Sequence, residues 1–143
     1  MTGLTHRTSI LIIMYTIEQA FAAFAVNMAL VDGRLEQSEA AKICSVAEAN
    51  NLNTNAVLEA CKREIDNPSD LYEFAKRMTE EEKDLVFFGI IRISLADGKI
   101  AIKEMQRVHT VCEAFGWGPQ HATIMYVQQL KQDPSLKVEG VDF

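Results

Sequence analysis

Apolar residues recur at intervals of three and four along most of this chain, which is the spacing of amphipathic helices. The pattern predicts helices over about 16–31, 36–49, 53–65, 79–95, 102–115 and 119–132. A short helix with Leu71, Phe74 and Met78 on its apolar face would lie between the third and fourth of these, and residues 10–15 could add an eighth. No convincing strand-type alternation is present. The predicted fold class is therefore all-α, with seven to eight helices.

The helix boundaries have local signals. Thr16-x-x-Gln19 and Thr79-x-x-Glu82 have the form of capping boxes, in which two side chains bond to backbone N–H groups of the first turn. Ser69 is predicted to cap the short helix. The segment 134–143, which begins with Pro134, lacks periodicity and is predicted to be loose.

A shift of 65 residues superimposes one half of the chain on the other. Apolar residues then pair with apolar ones: Val26 with Ile91, Ile43 with Val108, Val46 with Val111 and Ala49 with Ala114. The shift also pairs Asn51 with Gly116, and both types accept the left-handed conformation that ends a helix. We predict one domain, 1–143, of two pseudo-symmetric three-helix halves at about 17–66 and 82–132.

The most distinctive repeated element is Asp-Gly-x-Leu/Ile-x-x-x-Glu, the Asp-Gly motif, which occupies residues 32–39 and 97–104. Its Gly suits the turn between two helices, and its Leu35 or Ile100 is expected to be buried at the start of the second helix. Its Glu falls in the first turn, where the helix dipole favours a carboxylate. These three features need no ligand.

The Asp of each motif is different, because Asp32 and Asp97 lie at the C-terminal end of a helix, where the dipole opposes a negative charge. Two explanations remain open. Each Asp could cap free N–H groups of the following helix. Alternatively, each could hold a cation jointly with Glu39 or Glu104, seven residues further on.

The spacing of the motif equals that of the last part of an EF-hand loop, from its central Asp to its final Glu. An EF-hand also needs oxygen ligands two and four residues before that Asp. Apolar residues fill those four positions: Met28, Leu30, Ile93 and Leu95. The motif is therefore not an EF-hand. A site of two carboxylates would favour hard ions such as Ca²⁺, Mg²⁺ or Mn²⁺ and bind them weakly, at roughly 10⁻⁴ M or above.

Other chemistry has less support. His109 and Cys112 are three residues apart, but zinc needs a second pair of ligands. The chain has no Glu-x-x-His pair on two helices, as a di-iron bundle requires, and no Gly-rich phosphate loop. No nucleophile–base arrangement is suggested either, so we do not predict an enzyme or any cofactor besides the cation.

Composition and charge limit the partners and the cellular compartment that we expect for this protein. The formal net charge of −6 and the absence of a basic run argue against a nucleic-acid partner. Three widely spaced cysteines are typical of buried thiols in a reducing compartment. The apolar run 10–15 is too short for a signal peptide, and the next apolar stretch is too short to span a bilayer. We expect a cytoplasmic protein without membrane insertion.

Two Asp-Gly motifs, each after an apolar helix and before an amphipathic one, resemble the tellurite-resistance TerB family over roughly residues 17–132. The resemblance implies a compact all-α fold, a role in resistance to chemical stress, and divalent-cation binding by acidic motif residues. By position these are Asp32, Glu39, Asp97 and Glu104. The function it implies is a non-enzymatic stress-response module with a protein partner or a second copy of itself. The alternative is a structural interaction or dimerisation domain that binds no metal.

The chain departs from the family pattern at one place. Members often carry Ser, Thr or Asp after the aliphatic residue of the motif, whereas this chain has Glu36 and Ala101. Because Ala101 has no side-chain acceptor, a capping role for Asp97 becomes more plausible.

Overall fold

The computed structural model describes residues 15–29, 35–96, 98–118 and 120–138. Within them the chain forms seven α-helices and one pair of two-residue strands, which confirms the all-α class. The helices are α1 (Ile17–Ala29), α2 (Gln37–Ala49), α3 (Thr54–Asp66), α4 (Leu71–Lys76), α5 (Glu80–Ser94), α6 (Ile102–Ala114) and α7 (Gln120–Gln132). The strands are β1 (Lys99–Ile100) and β2 (Lys137–Val138). The predicted helix at 10–15 lies outside the described residues except for Tyr15, which precedes α1.

The sequence repeat is visible in the helix boundaries. Helices α2 and α6 begin and end 65 residues apart. The residues predicted to end them, Asn51 and Gly116, have positive φ values of 60° and 77°. The next residue, Leu52 or Trp117, donates its N–H to the carbonyl five positions back at 2.9 Å in both halves. This is the Schellman arrangement, and it confirms the predicted helix ends. The repeat also pairs Gly33 with Gly98, and Gly33 lies outside the described ranges.

Helix α1 is the centre of the core. It contacts α3, α4, α5 and α6, and every residue from 20 to 26 is fully buried. Five of its residues are alanines, and α3 packs against it more closely than α7 packs against α5. The positions of α5 that correspond to Ala22, Ala23 and Ala25 hold Phe87, Phe88 and Ile90. The side chains at these positions are larger in the second half, and the two halves are not identical in packing.

The contact between α1 and α5 depends on one glycine. A Cβ placed on Gly89 would lie 2.6 Å from Cε1 of Phe21, which is closer than real Cβ atoms approach. The Phe21 ring is fully buried and has little room to move. Gly89 therefore allows the central helices to approach each other at this point.

Most predicted caps are confirmed, and one is wrong. Thr16 and Thr79 each form the predicted reciprocal capping box. Ser69, however, does not cap α4, because Asp70 accepts from two N–H groups of the first turn. Ser69 instead donates its N–H and its hydroxyl to the carboxylate of Glu64. Both residues can cap a helix, and the buried Glu64 determines which one does so.

The prediction of a loose tail from Pro134 onwards is wrong for the residues up to Val138. Leu136 is buried, and β2 pairs with β1 in parallel register. The N–H of Lys137 also donates to the carbonyl of Gly98 at 3.1 Å. Two residues of strand are too few to produce an alternating pattern, so the sequence carried no signal for this pair. Residues 139–143 lie outside the described ranges.

None of the helices in the described ranges is both long and apolar enough to cross a membrane.

Candidate metal site

The four predicted ligands divide into two that the structure describes and two that it does not. Asp32 and Asp97 lie outside the described residues. Glu39 and Glu104 lie in the first turns of α2 and α6, at equivalent positions of the two halves. The structure therefore places half of the predicted ligand set.

Neither helix is capped by the side chain of its own N-cap residue. The residues at the capping positions are Glu36 and Ala101, both with extended backbone, and neither forms a capping hydrogen bond through its side chain. The carboxylate of Glu39 or Glu104 in the first turn offsets part of the positive end of the helix dipole, by about 0.3–1 kcal/mol. The aliphatic residues before the helices behave nearly as predicted, since Ile100 is buried and Leu35 packs against the core while partly buried.

Glu39 pairs with a cation of its own helix. Its Oε1 lies 3.2 Å from Nζ of Lys42, and both side chains are about one-quarter exposed. The ammonium group already offsets part of the negative charge of Glu39. A metal ion bound at this carboxylate would have to compete with Lys42.

Glu104 has a more enclosed environment. Its Oε2 is buried, and its negative charge is close enough to Tyr126 of α7 to influence the phenol. Burial is the main cause that raises the pKa of Tyr126 to about 12; the hydrogen bond with Ser94 acts in the opposite direction, and the charge of Glu104 adds to the rise. Glu104 is thus positioned where α6 meets α7.

A buried hydroxyl pair continues this polar region into α5. Oγ of Ser94 lies 3.0 Å from the hydroxyl of Tyr126 and donates to the carbonyl of Ile91 at 2.7 Å. Either hydroxyl can be the donor in the bond between Ser94 and Tyr126. Sequence reasoning missed both residues. The available signal was a serine at the end of the apolar helix α5, where α1 has Ala29.

The described residues alone do not form a metal site. Among them, no group of three or more His, Cys, Asp and Glu side chains could hold an ion. A cation site at the motifs therefore depends on Asp32 and Asp97.

Cys112 is a poor zinc ligand, because burial raises the pKa of its thiol to about 11 and zinc binds the thiolate.

Comparison with known proteins identifies the family. The family model described as "Tellurite resistance protein TerB" matches residues 18–125. A search of curated proteins and a search of solved structures each returned no match. The matched range covers most of the chain, contains both Asp-Gly motifs and ends within α7. The chain therefore belongs to the TerB family.

Proposed function

We propose that this chain is a non-enzymatic stress-response module of the tellurite-resistance type that binds divalent cations through its Asp-Gly motifs. Family membership supports the stress-response role. The observation that carries the cation proposal is the equivalent position of Glu39 and Glu104 in the first turns of two helices whose own N-cap residues form no side-chain cap. Each carboxylate lies seven residues after the Asp of its Asp-Gly motif.

In the proposed site, Asp32 acts with Glu39 and Asp97 acts with Glu104. Carboxylate oxygens favour Ca²⁺, Mg²⁺ or Mn²⁺ over softer ions. Two side chains supply too few oxygens for such an ion, so backbone carbonyls and water would complete its shell. Affinity is then expected at roughly 10⁻⁴ M or weaker.

Replacing Lys42 by glutamine should strengthen cation binding at the first motif. The partly exposed pair with Glu39 is worth about 0.2–1 kcal/mol, and its loss removes a competitor for the carboxylate. We expect the dissociation constant for Ca²⁺ to fall by up to about fivefold. Lys76→Gln is the control, because Lys76 forms a similar pair with Glu73 at 2.9 Å on α4. Equal effects of the two substitutions would show that only net charge matters.

The alternative function, an interaction or dimerisation domain without metal, is favoured by the outer face of α7. Ile124 and Val127 are 53% and 44% exposed. The corresponding positions of α3 hold Glu59 and Lys62, which are ordinary surface residues. Exposed aliphatic side chains at positions where the other half carries charges suit a protein partner or a second copy of the chain.

A growth assay distinguishes the two functions. The host would be a strain made tellurite-sensitive by deletion of its own TerB-family gene. We expect the wild-type chain to restore growth on tellurite and the Glu39→Gln/Glu104→Gln variant to fail. The control is Glu48→Gln/Glu113→Gln, which removes the same charge from exposed, equivalent positions near the other ends of α2 and α6. Failure of the wild type would contradict the stress role, whereas rescue by both variants would favour the alternative.

A further inference from the structure

The junction between the first half and the linking helix α4 forms a cavity. Helix α4 follows α3, contacts α1 and leaves a cavity of about 260 Å³ beside them. Two arginines line it, Arg63 near the end of α3 and Arg77 just after α4. Their guanidinium groups bring positive charge together in a chain of formal net charge −6.

Arg77 is held by aromatic rings. Its guanidinium carbon lies 4.7 Å from the ring centre of Phe74 and 5.5 Å from that of Tyr15. The Tyr15 hydroxyl in turn donates to Oε1 of Glu82 at 2.7 Å, which fixes that ring. Stacking on an aromatic ring uses the face of a guanidinium, whereas its N–H donors lie in the plane of the group. These ring contacts hold the guanidinium group of Arg77 beside the cavity.

The cavity also contains an acidic residue, Glu64, whose carboxylate is engaged by protein donors. Both of its oxygens accept from Ser69, and Oε1 also lies 3.3 Å from the amide nitrogen of Asn27. Gln19 has its amide oxygen bonded to the N–H of Thr16, which leaves its NH₂ group as the donor end. The two guanidinium groups therefore exceed the negative charge of the cavity lining.

We propose that this junction cavity binds a small oxyanion of the phosphate type, held by Arg63 and Arg77. Guanidinium groups present paired N–H donors that match the oxygens of such an anion. The arrangement is not part of the internal repeat, because the positions equivalent to Arg63, Glu64 and Gln19 hold Gln128, Gln129 and Asp84. The anion could be free phosphate or the phosphoryl group of a small metabolite. The site is independent of the Asp-Gly motifs.

The test is a titration of the full chain with inorganic phosphate in low-chloride buffer, followed by calorimetry and amide shifts. We expect saturable binding with shifts around α4, and at least about tenfold weaker binding in Arg63→Gln and in Arg63→Gln/Arg77→Gln. The single variant keeps the test valid if loss of the Arg77 ring contacts unfolds the chain. Lys62→Gln, which removes the same charge from the neighbouring exposed position, should bind like wild type.

Two results would overturn the proposal. One is a wild type that shows no saturation at tens of millimolar phosphate. The other is equal weakening by Arg63→Gln and Lys62→Gln. A second titration with AMP distinguishes the source, since tighter binding of AMP indicates an esterified phosphate and tighter binding of phosphate indicates the free anion. Phosphate binding should persist in Glu39→Gln/Glu104→Gln, so failure of the cation proposal would leave this one standing.

Discussion

Replacing Phe24 by alanine should lower the free energy of unfolding by about 3–5 kcal/mol. Phe24 is fully buried in α1, and its ring centre lies 4.8 Å from that of Phe115 and 6.3 Å from that of Phe74. One side chain thus joins the first half, the linking helix α4 and the end of α6. Its loss leaves a cavity among three elements that cannot all move inward together.

Urea denaturation of wild type and variant measures this effect directly. Phe88→Ala is the matched control, because Phe88 is 37% exposed and contacts Arg92, whose guanidinium carbon lies 4.9 Å from the ring centre. We expect the control to cost less than about 1.5 kcal/mol, since much of the ring is already hydrated. Similar losses for the two variants would contradict the central position assigned to Phe24.

The features that could be predicted from sequence are those that depend on neighbouring residues. The capping boxes at Thr16 and Thr79 and the left-handed ends at Asn51 and Gly116 are complete within six residues each. Each satisfies its backbone groups locally, so no knowledge of the tertiary structure is needed. The 65-residue shift then reveals that these local signals occur twice and defines the halves.

The features that could not be predicted depend on contacts between distant residues. No residue near Gly89 in the sequence indicates that Phe21 packs against it. Asp70 rather than Ser69 caps α4 because Ser69 is held by Glu64, five residues earlier on α3. Local preference allowed either residue, and the tertiary contact decided between them.

The candidate site also combines features that neighbouring residues determine with features that depend on distant contacts. The Asp-Gly motifs placed Glu39 and Glu104 in the first turns of their helices, as observed. The spacing of Glu39 and Lys42 suits an ion pair within one helix, although the motif alone did not suggest a competing cation. The hydroxyl pair near Glu104 joins Ser94 to Tyr126 across 32 residues, and only the fold brings these together.

The central claim is that the motif carboxylates bind a divalent cation, and a titration of four variants against wild type tests it most directly. Ca²⁺ and Mn²⁺ would be added to the full chain, with heat and amide shifts recorded. The two disruptive variants are Asp32→Asn/Asp97→Asn and Glu39→Gln/Glu104→Gln. Their controls are Glu48→Gln/Glu113→Gln, which loses the same charge at exposed positions, and Lys42→Gln, which should bind more tightly.

We predict saturable binding by wild type near roughly 10⁻⁴ M ion or above, with shifts at the starts of α2 and α6. Both disruptive variants should lose this response, and the Glu48→Gln/Glu113→Gln control should keep it. Asparagine retains the shape and the capping ability of aspartate, so loss in Asp32→Asn/Asp97→Asn would report charge rather than a broken turn. A wild type that shows no saturable response to either ion at millimolar concentration would contradict the claim and leave the motifs as turns between helices.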